Sequence, residues 1–556
     1  MGFTTASHAD VGPVRTFADR PVAWEEHDDG NIQGEPEKNH VQELELALTM
    51  RDGLANEIDR ILSLDSPSPA LDVNAADEVP CSTWYCARNH LHPLTPAELV
   101  AGAPSSPPKL PFTITKGKDE GSAIGFQVLD ADGRKYLLKL DEAGHQGIVT
   151  GTEMVGAPIF HAAGYNVPGA HLIEFAPTDL KIGPHATYLL YGVQSRPVTP
   201  GVVRRRLAKA ARLPDGRMRG VAIPWIAGDV LGSFDMIGTR PGDPNDRIPH
   251  ERRRSLRASW VLFAWLSILD PGAINTIDTV VDVSGRRFVR HNLIDFSCTF
   301  GSATNHVQGL HQDGEYLLEV GRTLGAVFSF GLYQRPFQRD RAAYELMTNN
   351  YRAVGYFPAE TFDPDTYRSN RKNPSFMRMT DRDAYWGAKI VTSFTDAQIA
   401  ALIAAARLGE PDATYATHAL EVRRDIIGRR YLRAMAAVEA PQVSVDGASV
   451  CFDDLAVLRG YVQPAEARYD VDEREVGSSG AASEVTRFER AIAGPHTCVP
   501  VGGASANGGY RVVEIRTRLP PKAGSSAAVL TKASRVHLRW RASERRFVVV
   551  GLERDE

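Results

Sequence analysis

One stretch limits the folds open to this chain more than any other. Trp260 to Gly301 reads WVLFAWLSILDPGAINTIDTVVDVSGRRFVRHNLIDFSCTFG. Trp260 to Leu269 is apolar and aromatic, which predicts a buried helix. It delivers Asp270 to a break at Pro271-Gly272, and Asn275 follows five residues after Asp270. Two β-rich runs come next, Thr276 to Val283 and Arg286 to Ile294. Ser284-Gly285 between them is a two-residue hairpin signal. The second run ends on Asp295-Phe296-Ser297. Helix, break and hairpin in one stretch predict an α+β fold.

The order of acids has a chemical reading. Phosphoryl transfer to a hydroxyl needs an Asp to accept or orient the attacking group. It needs an Asn five positions on to hold a metal, and a second Asp after a following hairpin to hold metal against the phosphates. D-x-x-x-x-N, hairpin, D-F-S has that layout, with Asp270 as base and Asn275 and Asp295 as metal ligands. Three departures from the usual pattern stand out. The hairpin ends 25 residues after Asp270, Ile268-Leu269 replaces the expected His-Arg, and Ser297 replaces a Gly. The same residues also read as a buried helix, a turn and a hairpin with capping acids.

Upstream, the Pro-rich segment Pro104 to Pro111 reads as a linker that opens a new unit. Three strands are predicted after it: Phe112 to Thr115, Ile124 to Leu129 and Lys135 to Leu140. Gly117, Gly121 and Gly125, with Lys116 and Lys118, lie between or beside the first two. A glycine-rich loop there can lay backbone N–H groups on phosphates. Lys139 on the third strand can then reach phosphate oxygens. A helix follows from Thr150, with Glu153 in its first turn as the ion-pair partner of Lys139. Taken singly, Lys139 also reads as a strand lysine pointing to water, and Glu153 as an acid favoured by the helix dipole.

The remaining chain sets the organisation. Residues 1–40 are polar, acidic and aperiodic, and read as a mobile arm. A helical period at about 41–63 (Leu44, Leu48, Leu54, Ile58, Leu62) begins a helical extension over 41–110. Strands are expected at Ala170 to Phe175 and Thr187 to Val193, and a basic helical stretch with a solvated face from Val202 to Arg219. Gly220 to Ile226 is the expected hinge strand, which closes a strand-rich lobe over 111–226. A helical lobe over 227–438 contains Asp381 to Thr392, Asp396 to Arg407 and Tyr415 to Ala437. A β-rich module spans 441–556, where Arg535 to Arg541 alternates an apolar face (Val536, Leu538, Trp540) with a basic one (Arg535, His537, Arg539, Arg541).

Composition excludes several classes. A net charge of −5 over 556 residues makes no case for nucleic acid. No apolar run is long enough to cross a membrane, and the first residues lack the apolar core of a secretory signal. Five cysteines, Cys81, Cys86, Cys298, Cys451 and Cys498, are sparse and odd in number. They read as reduced thiols in a cytoplasmic protein.

Taken together, the order of parts resembles the protein-kinase-like superfamily in its atypical bacterial branches, such as the HipA-type and CotH-type kinases. It is most similar to a set of uncharacterised bacterial proteins that carry D-E-V-P-x-S-x-W, a strand-three Lys, D-P-N-D-x-I-P-H and L-I-D-F. Those motifs stand here at Asp77 to Trp84, Lys139, Asp243 to His250 and Leu293 to Phe296. The resemblance implies a two-lobed fold, ATP and Mg²⁺ as cofactors, and transfer to a protein or small-molecule hydroxyl. It implies that Lys139 holds phosphates, Glu153 pairs with Lys139, Asp270 is the base, and Asn275 and Asp295 bind metal. A nucleotide-binding pseudokinase recruiting a partner through the β-module, or an adenylyl transferase using the same site, remain open alternatives.

Overall fold

The computed structural model describes residues 16–17, 27–34, 36–38, 68–118, 122–190, 194–312, 314–316, 325, 327–329, 332–333, 340–477, 486–502, 509–521 and 527–556. The helix expected at about 41–63, most of the expected arm and Gly121 lie outside these residues. The chain divides into two compact units. The larger comprises Glu25–Asp72 and Cys81–Ile427. The smaller comprises Met1–Trp24, Val73–Pro80 and Gly428–Glu556. Helices and several sheets in both halves of the chain make the protein α+β.

The larger unit enters its first sheet after a short helix, α1 (Pro96–Ala101), closed by a Thr95–Glu98 capping box. The sheet has seven strands: β1 (Phe112–Gly117), β2 (Ile124–Leu129), β3 (Lys135–Leu140), β4 (His171–Phe175), β5 (Leu180–Leu190), β6 (Gln194–Pro197) and β7 (Met218–Pro224). Their order is β4-β7-β3-β2-β1-β5-β6, so β3 is an interior strand paired on both sides. All pairs are antiparallel except β1 with β5. That parallel pairing begins at Leu180, which is why β5 starts well before the expected Thr187. Alternate residues Phe112, Ile114, Phe126, Val128, Tyr136 and Leu138 share one face and form a core. Helix α2 (Thr150–Ala163) follows β3 and is buried along nearly its whole length.

Only Pro200–Leu207 of the expected basic stretch is helical, as α3. It is not simply a solvated face. Arg206 donates to the carbonyls of Lys118 and Gly125, and Arg219 is buried in β7.

After β7 the chain enters a second, three-stranded sheet of order β10-β9-β8. It contains β8 (Asp229–Gly232), β9 (Thr276–Val283) and β10 (Arg286–Leu293). Ser284 and Gly285 both adopt positive φ, 54° and 78°, which a two-residue hairpin with the right twist requires. Between β8 and β9 lie α4 (Arg254–Arg257) and the wholly buried α5 (Ser259–Leu266). The rest of this unit is mainly helical: α6 (Arg341–Asn350), α7 (Asp381–Val391), α8 (Asp396–Ala406) and α9 (Glu410–Ile427). Thr380 with Asp383 and Thr395 with Gln398 close capping boxes on α7 and α8. Among the described residues no single helix is long and apolar enough to cross a membrane.

The smaller unit is β-rich. One sheet orders β11 (Val438–Val443), β12 (Ser449–Asp454) and β15 (His496–Pro500). Helix α10 (Leu455–Leu458) follows β12. The other sheet contains β13 (Arg468–Val476), β14 (Thr486–Ile492), β16 (Tyr510–Leu519), β17 (Val529–Leu530), β18 (Ser534–Arg541) and β19 (Arg546–Arg554). Val536 and Leu538 face the core as expected, but the basic face does not hold. His537 is fully buried because the Phe17 ring and the Tyr510 hydroxyl pack on it. Arg535 is neutralised by Glu514 and Asp555. Asp77 of the D-E-V-P segment pairs with Arg554, which also binds Glu439 at 2.8 Å.

Four cysteines are paired, not reduced as expected. Cys451 and Cys498 are direct partners across β12 and β15. The turn closed by Ser82 N donating to Tyr85 O at 2.8 Å brings Cys86 back to Cys81. Cys298 remains a buried thiol.

The C-terminus of α5 sits just before Asp270, and its last carbonyls need partners. Buried Arg423 of α9 supplies them, donating to Trp265 O at 2.9 Å and Ala264 O at 2.6 Å. Ser267 then takes a left-handed φ of 50° and turns the chain toward Asp270. Arg423→Ala should therefore cost on the order of 3 kcal/mol by leaving buried carbonyls unpaired. Urea unfolding of the variant beside the parent measures this, and a change below ~1 kcal/mol would contradict the capping role.

Candidate active site

The centre of the site is the Lys139 ammonium. It lies on β3 between Gly125 of β2 and Val221 of β7. Its Nζ sits 2.7 Å from Asp295 Oδ1, 3.0 Å from Glu153 Oε2 and 3.3 Å from Ser297 Oγ. Lys139 is 1% exposed and Glu153 fully buried, whereas the Asp295 side chain is 33% exposed. Burial alone would push the lysine pKa down, but the carboxylates of Asp295 and Glu153 outweigh it and hold the ammonium above its usual range. For Glu153, burial dominates and raises its pKa despite Lys139. Burial also opposes the charge on Asp295. There the nearby ammonium and the Ser297 hydroxyl win, and its carboxyl lies well below the usual carboxylate range.

Glu153 is placed by a cap that the sequence reading missed. Asp141, the first residue after β3, accepts from the N–H groups of Val149 and Thr150 at 2.9 Å and from the Thr150 hydroxyl at 2.8 Å. The strand that carries Lys139 thus fixes the start of the helix that carries Glu153. An acid after a strand, then Thr at a helix start, was the available signal. Arg219 of β7 ties the same corner to the α8 end through Ala406 O at 2.6 Å.

Asp295 follows β10 in a left-handed conformation, φ 61°, where Asp is among the better tolerated residues. Phe296 then packs on Phe160 of α2, with ring centroids 4.9 Å apart. Gly156 makes that approach possible, since a Cβ there would lie 2.7 Å from Phe296 Cβ. Ser297, in place of the usual Gly, donates its hydroxyl to Asp295 Oδ1 and sits within reach of Lys139.

Asp270 and Asn275 come together as the spacing predicts. Asn275 Nδ2 donates to Asp270 O at 2.9 Å, and Asn275 O accepts from Ile294 N at 3.0 Å, next to Asp295. The buried Cys298 thiol registers both acids. Burial raises its pKa first, and the charges of Asp270 and Asp295 raise it further. A segment absent from the sequence reading braces this loop. Asn370 Nδ2 donates to Asp270 Oδ1 at 2.7 Å, Tyr367 donates to Ile268 O at 2.5 Å, and Asn373 donates to Pro271 O at 3.1 Å. These contacts span about a hundred residues, so no local pattern announces them.

The glycine loop differs from expectation. Gly117 and Gly125 lie inside the β1–β2 ladder, and Tyr188 Cβ at the first and the Leu138 carbonyl at the second leave no room for a Cβ. Lys118 N donates to Gly125 O at 3.1 Å, and the Lys118 charge reaches Asp295 and helps lower its pKa.

The two motifs without a mechanism, W of D-E-V-P-x-S-x-W and D-P-N-D-x-I-P-H, meet in one buried cluster. Trp84 stacks on His291 with centroids 3.5 Å apart, and Arg253 lies over its ring at 4.5 Å. His250 binds Asp246 at 2.7 Å, and His291 binds Asp278 at 2.8 Å. Asp278 also holds Arg240 at 2.9 Å. The cluster packs under β9 and β10, the hairpin that ends on Asp295.

No family model, curated protein or solved structure matches the chain. The chemistry of the site therefore rests on its own geometry.

The ion pair has an acid limit. The folded-state pKa of Asp295 is below its unfolded value of ~3.9. Its contribution to stability is present above that pH and is lost as pH falls toward the folded value. Urea stability measured from pH 7 to pH ~3 should fall less steeply for Asp295→Asn than for the parent. Equal slopes would mean that Lys139 does not hold this carboxylate.

Proposed function

We propose that the larger unit is an ATP- and Mg²⁺-dependent phosphotransferase of atypical kinase type, acting on a hydroxyl of a protein or small molecule. One observation carries the reading: a buried ammonium on an interior strand, held by a helix carboxylate and by an Asp at a hairpin end 156 residues away. The sheet up to β7 and the mainly helical remainder are in keeping with the two lobes of this reading.

The donor set suits a hard divalent cation. Asp295 offers a carboxylate that is partly open to solvent. Asn275 spends its amide N–H on Asp270 O, which leaves its oxygen as the ligand atom. When bound, Mg²⁺ neutralises charge on the phosphates as the γ-phosphoryl group transfers.

The protein residues divide the remaining work. Glu153, wholly buried, keeps its hold on Lys139. The contact with the more open Asp295 is the one that phosphate oxygens replace. Asn370 orients the Asp270 carboxylate, which takes the proton from the acceptor hydroxyl. That oxygen bonds to the γ-phosphorus as the bond to the β-phosphate oxygen breaks and ADP leaves. Each of the five roles has a suitable residue in chain order, which supports an active enzyme over a pseudoenzyme.

Calorimetry with Mg-ATP and turnover assays test the division of labour. Asp270→Ala should bind Mg-ATP like the parent and lose on the order of 10²–10⁴ in rate. Asp295→Ala should lose binding as well as turnover. Unchanged Mg-ATP affinity in Asp295→Ala refutes the reading. Self-labelling from γ-labelled ATP identifies phosphoryl transfer and from α-labelled ATP adenylylation. Binding without either label leaves the reading of a nucleotide-binding scaffold that recruits a partner through the β-rich unit.

A further inference from the structure

In the smaller unit β12 and β15 run antiparallel, with Cys451 opposite Cys498 and Asp453 opposite His496. Alternate residues of a strand share a face. These four side chains therefore stand together on one face of the ladder. The other face carries Val450, Phe452 and Val499, all fully buried in the core. The Cys–His face is open: the His496 and Asp453 side chains are 67% and 44% exposed. Ligand atoms of Cys451, Cys498 and His496 all lie within 4.8 Å of one another.

Two features distinguish this group from a plain structural staple. The strands are paired from Ser449 to Asp453 and anchored by the apolar face, so their register does not rest on the disulfide alone. Being exposed, it is also within reach of a dithiol. The second feature is the His496–Asp453 bond, with Nδ1 2.9 Å from Oδ1. A carboxylate there keeps the proton on Nδ1 and leaves the Nε2 lone pair for a metal.

We propose that this face is a redox-gated site for a thiophilic divalent metal of the zinc class. Reduction by a dithiol breaks the S–S bond. The dithiol becomes a disulfide, and Cys451 and Cys498 take up two electrons and two protons. Metal uptake then displaces both thiol protons to solvent. The two thiolates and His496 Nε2 are the three protein ligands, Asp453 orients the histidine, and water fills the fourth position. Thiolates ~2.3 Å from a tetrahedral zinc stand roughly 4 Å apart, a spacing that facing residues of paired strands provide. The site is independent of the phosphotransferase reading.

The test uses Co²⁺ alone as a spectroscopic stand-in for Zn²⁺ on the full chain. The protein is reduced with a phosphine, desalted without oxygen and titrated. One equivalent of Co²⁺ should give a thiolate-to-metal charge-transfer band that Zn²⁺ abolishes, and the oxidised chain should give none. The double variant Cys81→Ser, Cys86→Ser should retain the band. Cys498→Ser and His496→Gln should lose it, and Asp453→Ala should weaken binding by about tenfold to a hundredfold. Three results would overturn the proposal. They are a reduced chain that keeps its β circular dichroism yet gives no band, a band that follows Cys81 and Cys86 instead, and a reduction that itself unfolds the strands that have to hold the ligands.

Discussion

An ammonium taken out of water must find charge and hydrogen bonds inside the protein, or it deprotonates. Lys139 meets that demand with three acceptors from two separate parts of the chain. Each acceptor needs its own support. Glu153 depends on a helix that starts where Asp141 caps it. Asp295 depends on a hairpin whose turn is closed by Ser284 and Gly285. Ser297 depends on Phe296 seating against Phe160, which in turn depends on Gly156 having no side chain. Sheet, helix and hairpin are thus held at the distances at which one ion pair closes.

A second set of buried charges sets the approach to Asp270. Arg254 and Arg257, the first and last residues of α4, bind Asp383 of α7 at 3.1 Å and 3.4 Å. Asp72 caps the same helix start through Ser255 N and its hydroxyl. Arg423 closes the far end of α5. The buried α5 segment is therefore pinned at both ends by ions. Trp265 Nε1, which donates to Leu420 O at 2.9 Å, adds a directional contact on the helix itself. Pinning by directional hydrogen bonds fixes where the chain leaves α5 toward Asp270.

The elements were legible wherever the pattern was local. The strands around Lys139, the helix from Thr150 and the Ser284-Gly285 hairpin all follow from period and turn chemistry. So does the meeting of Asp270 and Asn275, which are one short turn apart. Where a tertiary partner intervened, local reading failed. Gly117 looks like a loop residue but is a ladder residue crowded by Tyr188 and Arg206. His537 alternates like a solvent-facing residue but is covered by Phe17 and Tyr510.

By itself the sequence determined the α+β class and the chain order of strand Lys, helix Glu, D-x-x-x-x-N and D-F. It also determined the turn and cap residues, because these depend on backbone preferences within a few positions. Only the tertiary structure decided that Asp295 and Ser297 join the Lys139–Glu153 pair, that Asn370 holds Asp270, and that Cys451, His496 and Cys498 share one open face. Those outcomes depend on which distant groups compete for a buried charge or face one another across a ladder. The free energy of such contacts is set by burial and geometry, which no linear spacing records.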